Sequence, residues 1–560
     1  MRSPFKPTTP HGARRRLAAL ALAALTSATA LTLAVRDAES ATGDNVIFIL
    51  TDDQAASELA AMPNVHALIG ARGATFRRAY VPYPLCCPSR ASLLSGQYMH
   101  NHGVRGNLLP YGGWDRFRPH ESNALPVWTS DAGYYNVHIG KYMNAYTAGL
   151  GPPFAVPEGW DEWYGKISEG PLYFNYALVE KTGPADTAEL EFYGDQESDY
   201  QTDVLRDKAV DFLDGLTAGQ QPFLIDLWFN APHAPFDPAP RHLYSHATAP
   251  LPKVQAFNEK DISDKPRWLR KQAKKRFGKR LKRTIDTERR RRLEMLRSVD
   301  EAVGGVVAEL EDEGVLDETY IVFASDNGFF RGEHRIAGGK FLAHEPSSRV
   351  PLMIRGPGIP AGVVSDELVS SLDVTQTIVE IATGAADPAL DGRSLLPFAQ
   401  NGALRTTRPI LLEADTGPGK GSPGIDAQTS DASASGVAKV RLLGRRGVKD
   451  LDQEKPAAKS VANGNFAPAY RGLRTDRYVY LLYANKQAEL YDMWRDPAQL
   501  RNLAGNPRFR PVRKWLLAWM TTLSTCAGEA CRTQIGPDPV PAGKASRANE
   551  PKRPRGGPKR

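Results

Sequence analysis

The stretch LCCPSRASLLSG, residues 85–96, is the most informative part of this 560-residue chain. Its adjacent cysteines, Cys86 and Cys87, are poorly placed to bond to each other, because a bridge between neighbouring residues is strained. They are either a buried structural pair or part of a reactive motif. The small residues and the glycine that follow Arg90 predict a short helix directly after the cysteines.

Several apolar, β-branched runs along the chain end in polar loops, which is typical of strands buried on both faces of a sheet. Between these runs, apolar residues recur at helical spacing, most regularly in residues 290–311. The alternation predicts an α/β sandwich, in which functional side chains follow the carboxyl ends of the strands. The predicted strands are Asn45–Leu50, Tyr135–Ile139, Phe223–Phe229, Tyr320–Ala324 and Pro351–Ile354.

The pattern C-x-P-S-R, followed by a helix of small residues, resembles the signature of the type I sulfatases. In that family the first cysteine is oxidised after translation to formylglycine (3-oxoalanine), so the resemblance makes Cys86 the modified residue. Arg90 matches the arginine that stabilises the formylglycine side chain. The resemblance covers residues 44–504 and implies an alkaline phosphatase-like sandwich with a central mixed sheet and a smaller C-terminal α+β subdomain.

The same resemblance implies a metal site at the ends of two predicted strands. Asp52 and Asp53 follow the first strand, and Asp326 and Asn327 follow the fourth. With an oxygen from the modified Cys86, they would form a site made only of oxygen ligands. Such ligands suit a hard cation, so Ca²⁺ is expected, with Mg²⁺ and Mn²⁺ as alternatives.

Three cationic side chains match family residues that contact the sulfate group. His233 matches the histidine near the leaving oxygen, Lys340 the sulfate-binding lysine, and Lys141 a second lysine close to the formylglycine. Converging cations bind a sulfate ester and stabilise its transition state. The resemblance implies that hydrated formylglycine attacks sulfur, that the alcohol leaves, and that sulfate is expelled as the aldehyde re-forms.

The sequence GKYMN at 140–144 departs from the G-K-W-H of many sulfatases. The histidine that helps to eliminate sulfate is therefore missing, and neither Met143 nor Asn144 can act as a base. His102 and His334 are the two alternative bases. G-K-Y-[LM]-N instead resembles the glucosamine-6-sulfatase branch, and two other stretches share this resemblance, residues 100–104 and 158–163.

These residues favour a sulfuric ester hydrolase that releases inorganic sulfate from a sulfated sugar of the glucosamine 6-sulfate type. An arylsulfatase activity lies within that prediction. One alternative is a phosphonate monoester or phosphodiester hydrolase of the same superfamily. A second alternative is a non-catalytic protein that binds polyanionic carbohydrate. The resemblance also implies a formylglycine-generating enzyme as a partner during maturation.

The first 40 residues resemble an export signal. Three arginines at 14–16 precede the apolar stretch Leu17–Val35, which contains an A-x-A cleavage site at residues 28–30, with a cut nearer Ser40 as the alternative. A secreted or cell-envelope protein is therefore predicted, with twin-arginine export as one route and an uncleaved anchor as the alternative. No later stretch is long and apolar enough to span a bilayer, so no integral span is expected after cleavage.

The predicted catalytic domain covers residues 41–404, and the character of the chain changes after it. Residues 405–535 are predicted to form the C-terminal subdomain, with a flexible insertion near 415–466 and a disordered basic tail at 536–560. Cys526 and Cys531 are either a disulfide, as suits an exported protein, or two free thiols. Antiparallel strands are predicted within Tyr470–Tyr483 and Ala488–Met493, with a closing helix near Pro511–Leu523.

The net charge of +8 lies at the two ends of the chain, because residues 1–40 carry +4 and residues 544–560 carry +6. The rest carries −2, so global charge does not point to a nucleic-acid partner. Residues 260–297 nevertheless hold 17 lysines and arginines against five acids. This segment is either a solvated basic helix or a docking face for a sulfated polysaccharide.

Overall fold

The computed structural model describes residues 43–146, 154–168, 170–216, 221–248, 254–415 and 467–541. The export segment predicted at 1–40 lies outside these residues. So do nearly all of the insertion predicted near 415–466 and most of the tail predicted at 536–560. Within the described part of the chain, no helix has both the length and the apolar character needed to cross a bilayer.

The strands form three sheets. In chain order they are β1 (Asn45–Thr51), β2 (Ala74–Phe76), β3 (Ala79–Tyr80), β4 (Tyr135–Gly140), β5 (Glu162–Lys166), β6 (Ala177–Lys181), β7 (Glu189–Phe192), β8 (Phe223–Trp228), β9 (Thr319–Ser325), β10 (Arg349–Val350), β11 (Leu352–Arg355), β12 (Val363–Ser365), β13 (Val369–Ser370), β14 (Ile410–Ala414), β15 (Tyr470–Arg474), β16 (Tyr478–Tyr483) and β17 (Ala488–Asp492). The largest sheet has the order β12-β2-β11-β9-β1-β8-β4-β5-β6-β7, and the smaller ones are β10-β3-β13 and β14-β15-β16-β17.

The helices cover the sheets and join the strands. The α-helices are α1 (Cys86–Ser95), α2 (Met99–His102), α3 (Trp114–Phe117), α4 (Leu125–Asp131), α5 (Gln201–Asp214), α6 (Arg267–Gln272), α7 (Lys279–Asp312), α8 (Glu345–Ser348), α9 (Leu372–Thr383), α10 (Leu396–Gln400) and α11 (Arg510–Leu523). A π-helix occupies Val65–Gly70, and 3₁₀ turns occupy Ala56–Ala61, Arg118–Asn123, Glu197–Asp199, Pro240–His242, Leu316–Glu318, Pro507–Phe509 and Gly528–Arg532.

The centre of the large sheet is parallel. β1 pairs in parallel with β8 on one side and β9 on the other, and β4 pairs in parallel with β8. The carboxyl ends of these four strands therefore lie along one edge. β11, β6 and β7 are antiparallel to their neighbours, so the predicted mixed central sheet is confirmed.

Alternate residues of β1 enter two separate cores. Val46 and Phe48 pack in a core that also contains residues of α1, α4 and α9. Ile47 and Ile49 pack in a second core with residues of α5 and α7. The two cores lie on opposite faces of the sheet because successive strand side chains point to opposite sides. The predicted α/β sandwich is therefore confirmed.

The C-terminal part is a four-stranded antiparallel sheet on which α11 packs through Val512, Leu516 and Met520. The stretch Tyr470–Tyr483, in which antiparallel strand structure was predicted, contains the two strands β15 and β16. The Thr475 hydroxyl accepts hydrogen bonds from the backbone N–H groups of the two residues that follow Asp476, and this turn separates β15 from β16. The domain boundary at residue 404 stays a prediction.

The long helix α7 begins eleven positions before the predicted start at Arg290. Its first turns contain mainly lysine and arginine, which are good helix formers but carry almost no apolar periodicity. The prediction relied on that periodicity, so it recognised only the buried part of the helix.

Candidate active site

The residues that follow β1 and β9 are joined by direct hydrogen bonds. The backbone N–H of Asp53 donates to Asp326 Oδ1 at 3.1 Å, and Asn327 Nδ2 donates to Asp53 Oδ1 at 2.6 Å. Asp53 has a φ of 71°, a left-handed conformation that is uncommon for residues other than glycine. Parallel pairing of the two strands thus brings three of the predicted metal ligands into one cluster.

Cys86 is the first residue of α1 and is completely buried. Its Sγ atom lies 3.6 Å from Asp52 Oδ1 and 2.7 Å from Lys340 Nζ. Burial, reinforced by the negative charge of Asp52, holds the pKa of the thiol well above its usual value. The unmodified side chain is therefore a neutral thiol, which is a poor nucleophile.

Arg90 lies one helical turn after Cys86, on the same face of α1, and is also fully buried. Its Nε donates to Asp326 Oδ2 at 2.8 Å, and its Nη2 lies 3.6 Å from Asp52 Oδ2. Nη1 donates to the Lys141 carbonyl at 2.5 Å. Arg90 therefore connects α1 with the ends of β1, β4 and β9.

The two lysines that contact the carboxylates come from segments that are distant in the sequence. Lys141 follows β4, and its ammonium group donates to Asp52 Oδ2. Lys340 Nζ donates to Asp53 Oδ1 at 2.5 Å and lies 3.9 Å from Asp52 Oδ1. Both lysines are buried, so their charges act with little screening by solvent.

The charges in the cluster give Asp52 and Asp326, the two carboxylates that lie close to Arg90, different pKa values. Burial alone would raise the pKa of Asp52, but Lys141, His233 and Lys340 hold it well below the usual range. Burial and the charge of Asp52 raise the pKa of Asp326 to about 6. The site therefore keeps Asp52 ionised and makes Asp326 the group that protonates first as pH falls.

His233 lies in the loop that follows β8, between two cis X-Pro peptide bonds. Its Nδ1 lies 2.5 Å from the Ala234 carbonyl, so Nδ1 carries a proton. Its Nε2 lies 3.8 Å from Asp53 Oδ2 and has no hydrogen-bond partner among the described residues. The hydrogen-bonding capacity of Nε2 is therefore not used by the described residues.

The donor atoms of this cluster fit a divalent cation. Ligand atoms of Asp52, Asp53, Cys86 and His233 all lie within 4.8 Å of one another. Asn327 Oδ1 is buried and has no hydrogen-bond partner within the described ranges, as expected for an atom that binds an ion. Most of the donors are carboxylate or amide oxygens, which hard cations prefer.

Neither alternative base contacts a predicted site residue in the described part of the chain. His102 Nε2 lies 3.0 Å from Ser92 Oγ, its Nδ1 accepts from the Val104 N–H, and burial lowers its pKa to about 3. His334 Nδ1 lies 2.7 Å from Glu259 Oε2, and burial lowers its pKa as well. Both rings are held by partners outside the cluster.

The GKYMN segment is held by the second cysteine of the motif. The backbone N–H of Asn144 donates to Cys87 Sγ at 3.2 Å, and both Cys87 and Met143 are buried in the core. Cys87 therefore packs against the segment that carries Lys141, and both Cys86 and Cys87 are free thiols. Far from this cluster, a disulfide joins Cys526 and Cys531.

Sequence reasoning missed Arg292 and Glu58, which lie directly behind the cluster. Arg292 is fully buried in α7, and its Nη2 donates to the Asp53 carbonyl at 2.6 Å. Its Nη1 donates to the Pro232 carbonyl at 3.0 Å, and two further bonds of 2.8 Å bind Glu58. One signal was available, because Arg292 lies four residues before Leu296, on the buried stripe of the helix.

Similar proteins agree with this geometry. The Sulfatase family model matches residues 44–385. An N-acetylglucosamine-6-sulfatase of Capra hircus is 32% identical over 514 residues, which is 88% of this chain and 86% of that protein. The predicted resemblance to that branch is therefore confirmed.

Two solved structures share the fold at lower identity. One, in complex with its substrate D-glucosamine-2-N,6-O-disulfate, has a TM-score of 0.64 at 22% identity and covers 86% of this chain and 97% of that one. The other, a phosphonate monoester hydrolase from Silicibacter pomeroyi, has a TM-score of 0.61 at 24% identity and covers 86% and 97%. With the family match and the sequence relative, these findings show that the chain belongs to the sulfatase family.

Proposed function

We propose that this chain hydrolyses the sulfate ester at the 6-position of N-acetylglucosamine in a sulfated sugar, with Cys86 as its modified residue. One observation carries the proposal: Cys86 lies within contact distance of Lys340 and Asp52, inside a buried cluster that also contains Lys141 and His233. A sulfate ester is an anion, and buried cations attract it strongly because little water screens them.

Membership in the sulfatase family implies a formylglycine and a bound metal ion. Formylglycine, which a formylglycine-generating enzyme would make from Cys86, would supply a hydrated aldehyde as the nucleophile. Asp52, Asp53, Asp326 and Asn327 would hold the ion together with residue 86, and Ca²⁺ suits these oxygen donors best. The ion would supply positive charge that stabilises the negative charge that develops during the reaction.

The remaining steps depend on groups that the chain itself provides. Lys340 and Lys141 bind the sulfate oxygens, because their ammonium groups converge on the carboxylates that surround Cys86. Arg90 fixes the orientation of residue 86, since it lies one turn further along α1 and is bound to Asp326. A proton on His233 Nε2 is delivered to the leaving alcohol oxygen.

The proposal includes export of the protein from the cytoplasm. A basic and then apolar segment within residues 1–40 would direct the chain out of the cytoplasm, with the twin-arginine route as one possibility. The substrate would then be an extracellular or envelope-associated sulfated sugar.

The proposal is tested on protein purified from its own host. Mass spectrometry of the tryptic peptide 79–90 should find formylglycine at position 86, and the protein should release sulfate from N-acetylglucosamine 6-sulfate. Cys86→Ala should abolish turnover, whereas the matched control Cys87→Ala should retain the modification. Faster turnover of a phosphonate monoester would favour the alternative hydrolase, and an unmodified, inactive wild type would favour a binding protein.

A further inference from the structure

One surface segment contains many basic residues and no acidic ones. Residues 267–283 contain ten lysines and arginines and no aspartate or glutamate. They comprise α6, a short connection and the first turns of α7. We refer to the exposed cations of this segment as the basic surface, and they are Arg267, Arg270, Lys271, Lys274, Lys275, Arg276, Lys279, Arg280 and Arg283.

The four consecutive arginines at 289–292, further along α7, differ from the basic surface in their burial. Arg289 is only 6% exposed, and Arg292 is fully buried in its ion pair with Glu58. Those two arginines support the interior of the protein and cannot bind a partner in solution. Between residues 261 and 297, every exposed lysine or arginine therefore lies within 267–283, whereas Arg290 and Arg291 are half-buried.

Apolar anchors fix the direction in which the basic surface points. Trp268 and Leu269 of α6, together with Ala273, are buried in a core that also contains residues of the C-terminal sheet. Ile285 is buried further along α7. Since these side chains face inwards, the cations between them face solvent on an element that is held in place.

This charge is not neutralised within the described chain. No lysine or arginine of the basic surface forms an ion pair with a described carboxylate, although Arg276 Nε donates to the Asn258 carbonyl at 3.2 Å. Close packing of like charges is unfavourable in the free protein. A partner that supplies many negative charges would relieve this repulsion.

The basic surface is connected to the active site by two elements. Arg335, in the loop that leads to Lys340, donates to the carbonyls of Glu259, Lys260 and Ala273 at 2.8–3.2 Å. Along α7, Arg292 follows Lys279 by 13 positions. At about 1.5 Å per residue, this places the start of the helix about 20 Å from the residue that supports Asp53.

We propose that the basic surface docks the polyanionic chain of a sulfated polysaccharide, one of whose sulfate esters enters the active site. This inference rests on the proposed function and extends its substrate class from a single sugar to a polymer. Regularly spaced sulfates match a row of exposed cations, and a segment of several sugars covers the distance of about 20 Å.

Two other polyanions fit the surface less well. Single-stranded nucleic acid binds on exposed aromatic platforms, but Trp268 is only 9% exposed and Phe277 is half-buried. Anionic membranes are bound by basic helices that also insert apolar side chains. None of the described, exposed large hydrophobic residues lies within 267–283.

The test compares the full-length protein with two variants of equal charge. The surface variant carries Arg270→Gln, Lys271→Gln, Lys274→Gln and Lys275→Gln. The control variant carries four substitutions at exposed sites elsewhere, Arg72→Gln, Arg501→Gln, Arg510→Gln and Lys514→Gln. All three proteins retain residues 544–560, so any binding by those residues contributes equally.

We expect the surface variant to bind immobilised heparin roughly tenfold more weakly at about 0.15 M salt, with a shallower salt dependence. The control variant should bind like the wild type. For a heparin-derived oligosaccharide, the surface variant should raise KM and leave kcat unchanged, while turnover of N-acetylglucosamine 6-sulfate stays unaltered. Equal heparin affinity of the two variants would overturn the proposal.

The choice of partner is tested separately from catalysis. Heparin binding is also measured in the Cys86→Ala background, which needs no turnover, so a failure of the proposed function does not obscure the result. Single-stranded DNA and phosphatidylserine vesicles serve as competitors. Each competitor is compared with free heparin at equal concentration of negative charge. If DNA or vesicles displace the protein from immobilised heparin at a lower concentration than free heparin does, the assignment to a sulfated polysaccharide is overturned. If they require a higher concentration, the assignment is supported.

Discussion

The guanidinium of Arg292 donates a 2.6 Å hydrogen bond to the main-chain carbonyl of Asp53, at the point where β1 enters the active site. The same side chain binds the Pro232 carbonyl in the loop that carries His233. Arg292 therefore joins the segment of Asp53, a proposed metal ligand, to the loop of His233, the proposed proton donor. Its charge is balanced by Glu58, whose pKa it and Arg331 lower to about 2 against the effect of burial.

We expect Arg292→Lys to lower kcat for sulfate release by roughly a hundredfold, because a lysine cannot bind both carbonyls and Glu58 in the same geometry. The free energy of unfolding should fall by about 3 kcal/mol, since Glu58 loses part of its pairing. Both quantities are measured by steady-state kinetics and urea unfolding.

Glu58→Gln is the matched control for this effect. It disturbs the same buried pair but leaves the bond from Arg292 to Asp53 in place, so stability should fall while kcat is largely retained. Equal losses of kcat in the two variants, at a temperature where both are folded, would show that the bond from Arg292 to Asp53 has no separate role in catalysis.

The structure explains why some of these elements were predicted and others were not. β1, β4, β8 and β9 are buried on both faces, so each is a largely apolar run that is visible in the sequence, interrupted in its interior only in β4 and β8. β3, β10 and β13 contain two residues each. Such short strands depend on their neighbours and leave no periodic pattern.

The site residues also fall into two groups, those that a local sequence pattern indicates and those that only packing brings together. Cys86 and Arg90 belong to one local motif, and Asp52 and Asp326 lie two residues after predicted strands, so the sequence alone was enough to predict all four as site residues. Glu58 and Arg292 are 234 positions apart and meet only through the packing of α7. No local pattern reports an ion pair between distant segments.

His233→Gln should slow hydrolysis according to the leaving group. A sugar alcohol is a poor leaving group and needs a proton, so sulfate release from N-acetylglucosamine 6-sulfate should fall by roughly 10²–10³-fold. A nitrophenyl sulfate leaves without protonation, so its turnover should change far less. Exposed His66→Gln is the control, and equal losses on both substrates would exclude His233 as the proton donor.

Calcium should stabilise the protein through the oxygen cluster. With free Ca²⁺ a hundredfold above its Kd, the free energy of unfolding should rise by about 2.7 kcal/mol. Asn327→Ala removes a buried donor whose Oδ1 has no partner among the described residues, so this increment should shrink. Thermal unfolding with and without Ca²⁺ measures it.

Asn485→Ala, at an exposed position, is the control. In this variant, Ca²⁺ should raise the free energy of unfolding by as much as in the wild type. A larger increment with Mg²⁺ than with Ca²⁺ would contradict the assignment of the ion. An Asn327→Ala protein with an unchanged increment would remove Asn327 from the ligand set.

His138 should make the folded protein less stable in acid. Its ring is fully buried and stacks on Trp163 at 4.5 Å between centroids. Burial, assisted by the charge of Arg90, lowers its pKa to about 3. An unfolded histidine has a pKa of about 6.5, so the unfolded chain takes up this proton first as pH falls.

The contribution of His138 to stability is therefore present above about pH 6.5 and declines by about 1.4 kcal/mol per pH unit below it. His138→Phe keeps a ring against Trp163 but cannot titrate, so its stability relative to the wild type should rise steadily between about pH 6.5 and 4. Urea unfolding across this range measures the difference. Because the other titrating groups are common to both proteins, parallel stability curves would mean that His138 does not take up a proton on unfolding.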